Sequence, residues 1–540
     1  MDELKKESHQ LEKISPFELK DKLIDLAKGK MRITRTMLDA GRGNPNWIAA
    51  TPREAFFALG QFAVTESRQV WDDGNLAGMP SRIGIAERFN KYVEANQQVP
   101  GIHLLKEIIQ YGIKNKQFEP DTWVYELVDG IIGDNYPIPD RMLVRTEQVV
   151  HDFLIKELCN GDSSAGPFDL FAVEGATAAM CYIFDTLFKN YLLPKGSKIA
   201  VMVPIFPPYI EIPELPNNDY ELVKIEATEL NNEGQHTWQY PDEEIEKLKD
   251  TDIKALFLVN PSNPPSVSLE KKSTEKIIQI VKQDNPNLMI ISDDVYGTFV
   301  EGFRSLMVDL PFNTIGVYSF SKYFGVTGWR LGTISINRSN VFDKLVDDLP
   351  EETKEVLHKR YASLTRNPES LTFIDRIVAD SRAVAMNHTA GLSTPQQVQM
   401  ALFSIFAMLD TNNEYKKKTI DILHRRMNLL YKGLGLPKKH LPNDADYYTE
   451  IDLEIWCNHH FDKGFTDYLK KNYNPVDILY RLAENSSIVL LSGEGFSAPV
   501  WSIRVSLANL NDEDYLHIGQ ELKNVLEKYV MEWKEKMGNI

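Results

Sequence analysis

The chain has 540 residues, 43% of them hydrophobic and 25% charged, which allows two or more packed domains and excludes a disordered or fibrous protein. A formal net charge of −17 disfavours nucleic acid as a partner, while a small anionic substrate stays open because local arginines set the field inside a pocket. The three cysteines, Cys159, Cys181 and Cys457, are far apart and lack CxxC spacing; this argues against a disulfide framework or a zinc cluster and fits a reducing cytosol.

The opening MDELKKESHQLEK is charged and has no apolar signal-peptide core. No apolar run reaches the roughly 18 residues of a membrane span, so a cytoplasmic chain without membrane contact is expected. Residues 1–60 are polar and run into DAGRGNPNWIAATP (39–52), a turn region by its Gly, Pro and Asn content. From about 60 to 135 the periodicity is helical, as in AERFNKYVEANQQ and IHLLKEIIQYGI. After GDNYPIPDRM comes another helix, MLVRTEQVVHDFLIKEL.

The rhythm then changes. Short apolar strands are predicted at 168–175, 198–204, 253–261, 288–294, 314–321 and 331–336, with helical stretches between several of them. Strands apolar throughout and alternating with helices imply an α/β fold with a mostly parallel sheet covered on both faces. Ligands of such sheets gather at the carboxyl ends of the strands. Residues 340–430 are helical and charged, and the last hundred return to a mixed pattern with strands at YTEIDLEIW, SIVLLSG and WSIRVSL. The expected division is 1–60 joining a small domain, 61–135 a helical insertion, 136–345 a large α/β domain, 346–390 a second helical insertion and 391–540 the small α+β domain.

The strand ends carry the chemistry. SFSKYFGVTGWRLG (319–332) places Lys322 among Ser319, Ser321 and Arg330, which suits an aldehyde cofactor bearing a phosphate. The amine forms the Schiff base, and hydroxyls with a guanidinium hold the dianion. ISDDVY offers Asp293 or Asp294 to keep a pyridine nitrogen protonated, with Tyr296 able to hydrogen-bond the ring's phenolic oxygen. A turn or helix cap is the simpler reading of Asp293. VNPSNPPS adds Asn260 and Asn263, and EGATAAM is a strand–Gly–helix junction whose first amides, at Ala176 and Thr177, make an anion site. PIFPPY offers Phe206 or Tyr209 as a flat lid, or as core packing. Arg504, inside the apolar strand WSIRVSL, needs an anion, either a substrate carboxylate or an internal acid.

Taken together, EGATAAM, PIFPPY, NPSNPP, SDDVY, SFSKYFGVTGWRLG and WSIRVSL resemble, in order and spacing, the fold-type I aminotransferases of classes I and II, which depend on pyridoxal 5′-phosphate. The resemblance implies that Lys322 carries the cofactor and that Asp293 pairs with its ring nitrogen. Asn263 and Tyr296 would contact the ring oxygen, and Phe206 would stack on the ring. Ser319, Arg330 and the 176–177 amides would hold the phosphate, Arg504 the substrate α-carboxylate, and Tyr136 in GDNYPIP a neighbouring subunit's phosphate, which makes a homodimer the active unit.

SPFELKDKL, AGRGNPNW, TPREAFFALGQFA, VDGIIGDNYPIPDRML and SRAVAMNHTAGLSTPQQ further resemble the aspartate 4-decarboxylases, from about residue 14 onward. That implies release of CO2 and alanine from aspartate, side transamination, reactivation by pyruvate or another 2-oxo acid, and a larger homo-oligomer in which the extra helices make contacts. A plain aminotransferase is the alternative, since both reactions use the same cofactor residues; a regulator on this fold would need a basic DNA-binding domain, for which there is no room. Aspartate aminotransferases place a distal-carboxylate arginine just before a Ser-x-Pro element, and NHTAGLSTP has none. Arg42 and Arg382 are the proposed replacements, with Lys20 behind them.

Overall fold

The computed structural model describes residues 15–29, 37–134, 141–382, 391–436, 438, 440–461 and 463–538. Its centre is a sheet of seven strands: β1 (Phe168–Val173), β2 (Lys198–Val203), β3 (Glu221–Glu226), β4 (Ile253–Val259), β5 (Met289–Asp293), β6 (Thr314–Ser319) and β7 (Gly332–Asn337). Their spatial order is β1-β7-β6-β5-β4-β2-β3. Every pairing is parallel except those of β7, which runs antiparallel to both β6 and β1. The link 320–331 contains no helix longer than the 3-10 turn Thr327–Trp329, so β7 returns beside β6 without the helical crossover that usually joins parallel strands. β3 was not predicted. Its ELVKIE alternates charge with apolar residues and is half exposed at the sheet edge, so it lacks the apolar run that marks its neighbours.

Four helices, α1 (Ala50–Val70), α2 (Ile85–Ala95), α3 (Ile102–Lys114) and α4 (Pro120–Ile132), bury Leu59, Phe62, Phe89, Leu105 and Trp123 in a core of their own. Next come α5 (Val144–Leu158) and α6 (Ala176–Lys189), then α7 (Thr394–Leu409), whose Val398, Ala401, Leu402 and Ile405 complete the four-helix core. The expected boundaries move accordingly. Residue 61 falls inside α1, and α7 packs with the helical unit, because its apolar residues cover nearly its whole circumference and need partners on both sides.

The small domain is built on α8 (Glu414–Leu434) and α9 (Asp512–Gly538) beside the antiparallel strands β8 (Tyr448–Asp452), β9 (Leu491–Ser492) and β10 (Ser502–Ser506), ordered β8-β10-β9. Gly433 and Gly519 let α8 and α9 meet backbone to backbone: a Cβ on Gly519 would lie 2.2 Å from the Leu430 carbonyl oxygen. Leu38–Asp39 pairs in parallel with Ile488–Val489, which ties the N-terminal segment to this domain. YTEIDLEIW is strand only as far as Asp452, whose carboxylate accepts from the Ile455 amide at 3.0 Å and caps a helix over Leu453–His460. Among the described residues no helix is long and apolar enough to cross a membrane.

Candidate active site

A cleft of about 250 Å³ opens at the carboxyl ends of β1, β4, β5 and β6, closed from above by side chains of β8 and β10. One end is built for an anion. Gly175, with φ 86°, turns the chain so that Ala176 and Thr177 begin α6 with their amides facing the cleft. The Ser319 and Ser321 hydroxyls lie 2.9 Å apart beside them. Arg330 is left-handed at φ 55°, an uncommon conformation for a non-glycine residue. It is fixed by donating to the Thr327 carbonyl at 2.9 Å and the Glu174 carbonyl at 3.0 Å, and it pairs with no described carboxylate. Gly175 is required here, since a Cβ would sit 2.4 Å from the guanidinium.

At the other end the two aspartates of ISDD divide. Asp294 turns away from the cleft and accepts from the Ser292 hydroxyl at 2.6 Å and the Ser305 hydroxyl at 2.5 Å. Asp293 faces the cleft. Burial pushes its carboxyl up to about 6, against the Val295 amide, the Tyr209 hydroxyl at 3.2 Å and the Lys322 charge. Tyr209 thus stands behind Asp293, fully buried, and Phe206 is the aromatic of PIFPPY that lines the cleft. Asn260 also leaves the cleft, its side-chain oxygen accepting from the Leu269 amide at 3.0 Å.

Lys322 projects between these ends and donates to the Gly43 carbonyl at 3.0 Å. Arg504 is 2% exposed and forms no ion pair with a described carboxylate. It donates to the Asn263 side-chain oxygen at 3.1 Å and the Gly41 carbonyl at 2.8 Å, and stacks on Tyr448 with 4.2 Å from guanidinium carbon to ring centroid. A buried guanidinium held only by neutral groups is a receptor for a carboxylate.

Three contributors escaped sequence reasoning. Gly43 accepts from both Lys322 and the Tyr447 hydroxyl at 2.8 Å, and a Cβ on it would lie 2.4 Å from the Tyr448 hydroxyl. Tyr448 lines the cleft and accepts from the Tyr296 hydroxyl at 3.0 Å. Glu450 lies in register opposite Arg504 across β8 and β10, and burial pushes it up to about 8 against the Ser502 hydroxyl and the Arg504 charge. Its only signal in the sequence was a charge at the centre of the short strand YTEID, which carries a second acid at its end.

Of the other expected residues, Arg42, Arg382 and Lys20 do not line the cleft. The Arg42 side chain is 62% exposed, 3.7 Å from Asp39. Arg382 is buried at the end of the helix Phe373–Ser381, and neither arginine lines the cleft. Lys20 lies beside Gly41 and Asp39, and Tyr136 lies outside the described residues.

These residues fit pyridoxal 5′-phosphate. An anion cradle of amides, hydroxyls and an unpaired guanidinium stands at one end, a buried carboxylate short of a cationic partner at the other, and a primary amine between them.

A sequence profile described as aminotransferase class I and II matches residues 172–522. The bifunctional aspartate aminotransferase and L-aspartate beta-decarboxylase of Pseudomonas sp is 46% identical over 98% of this chain and 99% of its own length. An aspartate aminotransferase of Sulfurisphaera tokodaii is 27% identical over 64% of this chain and 72% of its own. Among solved structures, a double mutant of Thermus thermophilus aspartate aminotransferase superposes with a TM-score of 0.57 over 95% of this chain and 96% of its own, at 14% identity. With its sheet, its cleft and its likeness to these proteins in hand, the chain belongs to the class I and II aminotransferases, a family of pyridoxal 5′-phosphate enzymes.

Proposed function

We propose that the chain converts L-aspartate to L-alanine and CO2, with transamination of aspartate as a side reaction. The observation that carries this reading is end-to-end likeness to a protein that performs both activities, at 46% identity over 98% of the chain. The site supports it. Arg504, which forms no ion pair with a described carboxylate and faces a Glu450 that burial holds up to about 8, would take the α-carboxylate in a bidentate pair, and Asn263 beside it would fix the orientation. Lys322, placed between the anion cradle and Arg504, would remove the α-proton at its Nζ. Asp293 would hold the ring nitrogen protonated, Phe206 would cover the ring face, and Tyr296 would reach the ring oxygen.

Bound there, pyridoxal phosphate supplies the electron sink that makes both the α-proton and the β-carboxylate able to leave. The two reactions share removal of the α-proton and part afterwards, so residues that act late decide the products. A tight ion pair to the β-carboxylate would stabilise the ground state and oppose its loss as neutral CO2. A distal contact looser than an aminotransferase's is therefore favourable, and the exposed Arg42 on the loop that holds Lys322 and Arg504 is our first candidate, with Arg382 next. A homodimer in which Tyr136 reaches the neighbour's phosphate, assembled further through the helical insertion, is proposed as the working unit in the cytoplasm, with a 2-oxo acid such as pyruvate restoring enzyme left in the amine form.

The test is incubation of the cofactor-loaded enzyme with aspartate, measuring CO2, alanine and oxaloacetate together and correcting for spontaneous decay of oxaloacetate. Alanine and CO2 in equal amounts support the proposal. Stoichiometric oxaloacetate without enzymatic CO2 makes the chain a plain aminotransferase.

A further inference from the structure

Loss of the β-carboxylate leaves an electron pair at Cβ, and alanine forms only when a proton is delivered there. Lys322 is engaged with the α-proton, so a second donor facing the substrate is needed. The cleft contains few candidates. Asp293 lies at the far end behind the cofactor's place, and Arg330 belongs to the anion cradle. Guanidinium groups are poor acids in any case. Among the described residues lining the cleft, two phenols remain, Tyr296 and Tyr448, in contact at 3.0 Å.

Their hydrogen bond is directional. Tyr296 donates to Tyr448, so the Tyr448 oxygen accepts there and its own proton stays available to the cleft. Tyr448 is also the phenol beside the carboxylate receptor, its ring under the Arg504 guanidinium at 4.2 Å, and Gly43 brings its hydroxyl to the Lys322 side of the cleft. Resting on the decarboxylase reading above, we propose that Tyr448 is a catalytic acid that protonates Cβ of the decarboxylated substrate.

In that step the Cβ–Cγ bond breaks and CO2 departs, leaving its bonding pair conjugated with Cβ. That pair takes the Tyr448 hydroxyl proton to form the new C–H bond, and the phenolate left behind regains a proton from water through the cleft mouth. The reaction consumes one proton in all, as conversion of aspartate to alanine and CO2 requires. The surroundings favour the phenolate: burial opposes it, but the Lys322 and Arg504 charges and the Tyr296 hydroxyl outweigh burial and hold the Tyr448 phenol below its ordinary value. Tyr296 moves the opposite way, burial and its two tyrosine neighbours raising it well above the ordinary value. The pair is thus polarised toward giving up the Tyr448 proton.

A purely structural Tyr448 would slow every reaction of the site alike, whereas a Cβ acid governs only the branch to alanine. The test is Tyr448→Phe in the holoenzyme, with cofactor attachment to Lys322 verified by borohydride reduction. General acid groups contribute about 10²–10⁴-fold, so in a single turnover alanine formation from aspartate is expected to slow about 100-fold or more while CO2 release keeps its rate. A slowing of less than about tenfold overturns the assignment. A wild-type enzyme that makes oxaloacetate but no enzymatic CO2 defeats the decarboxylase reading itself and Tyr448's role with it, a result distinct from unchanged alanine formation in the variant. Should the variant fail to hold cofactor, wild-type enzyme with aspartate deuterated at Cα decides the matter. Deuterium carried from Cα into the alanine methyl group would make Lys322 the donor and refute the role of Tyr448; a methyl group drawing its hydrogen wholly from solvent is the expected result.

Discussion

Glu450→Gln isolates how a buried acid controls substrate binding. Glu450 shares a face with Arg504 across β8 and β10; Ser502 on β10 and Asp452 on its own strand are its other polar neighbours, the latter raising it further. At about 8, against an ordinary 4.5, its carboxyl is roughly nine-tenths protonated at pH 7, so the Arg504 charge is left for the substrate. Above pH 8 Glu450 ionises and competes for that charge. If the ionised form binds aspartate poorly, wild-type KM rises about tenfold from pH 7 to pH 9 relative to Glu450→Gln, in which position 450 does not titrate. Taking the ratio of the two proteins at each pH cancels every other titrating group. Stability gives an independent check of sign. Because the folded value is raised, the contribution is fully present below about 4.5 and is lost as pH rises toward about 8, costing about 3 kcal/mol by pH 7 at 1.36 kcal/mol per unit. Glu450→Gln should therefore gain stability over wild type across that window in denaturant titrations. A KM ratio flat from pH 7 to pH 9 would refute the reasoning.

Lys322→Ala should abolish covalent cofactor attachment after borohydride and nearly all turnover; reduced cofactor recovered on another lysine would undo the site as drawn. Asp293→Asn removes the anion opposite the ring nitrogen, and losing one partner of a buried pair costs about 3–5 kcal/mol, so turnover should drop by two to four orders of magnitude. In the wild type, Asp293 titrates near 6, so cofactor retention should weaken as pH falls through that value and hold steady above it, which a dialysis series across pH 5–8 measures. Arg42→Ala should change aspartate turnover or the product ratio while the cofactor stays on Lys322; wild-type kcat, KM and ratio together would pass the role to Arg382.

The sequence made the large domain legible because its central strands are buried on both faces and therefore read as apolar runs, as IKALFLV and MIISD do. The edge strand Glu221–Glu226, wet on one face, gave no such run. Lys322, Asp293, Arg330 and Arg504 were readable since each is a charge at the end of, or inside, an apolar strand. Choosing between adjacent aspartates was not possible from ISDD. What separates them is that Ser292 and Ser305 satisfy Asp294 while Asp293 meets one phenol and one amide, and Ser305 and Tyr209 come from elements whose placement depends on tertiary packing. The same limit hid Tyr448, an ordinary strand tyrosine until the small domain folds over the sheet.

The loop Gly41–Gly43 joins these pieces in a way neither domain does alone. The Gly41 carbonyl holds Arg504 and the Gly43 carbonyl holds both Lys322 and Tyr447, so two carbonyls of one short loop position the carboxylate receptor and the amine. The loop's own anchor is the parallel pairing of Leu38–Asp39 with Ile488–Val489 and the Ser506 amide donating to Ala40 at 2.8 Å, all within the small domain. Lys322, by contrast, is carried by the large domain after β6. Beside the Trp47 indole donating to the Tyr323 carbonyl at 3.2 Å and the Ala49 amide to the Phe324 carbonyl at 3.1 Å, the link between the two parts that lies in the cleft is the contact from Lys322 to Gly43. A substrate bridging Arg504 and the cofactor's place would replace that contact with its own. The receptor and the amine are thus tied to one loop through two carbonyls, Gly41 for Arg504 and Gly43 for Lys322.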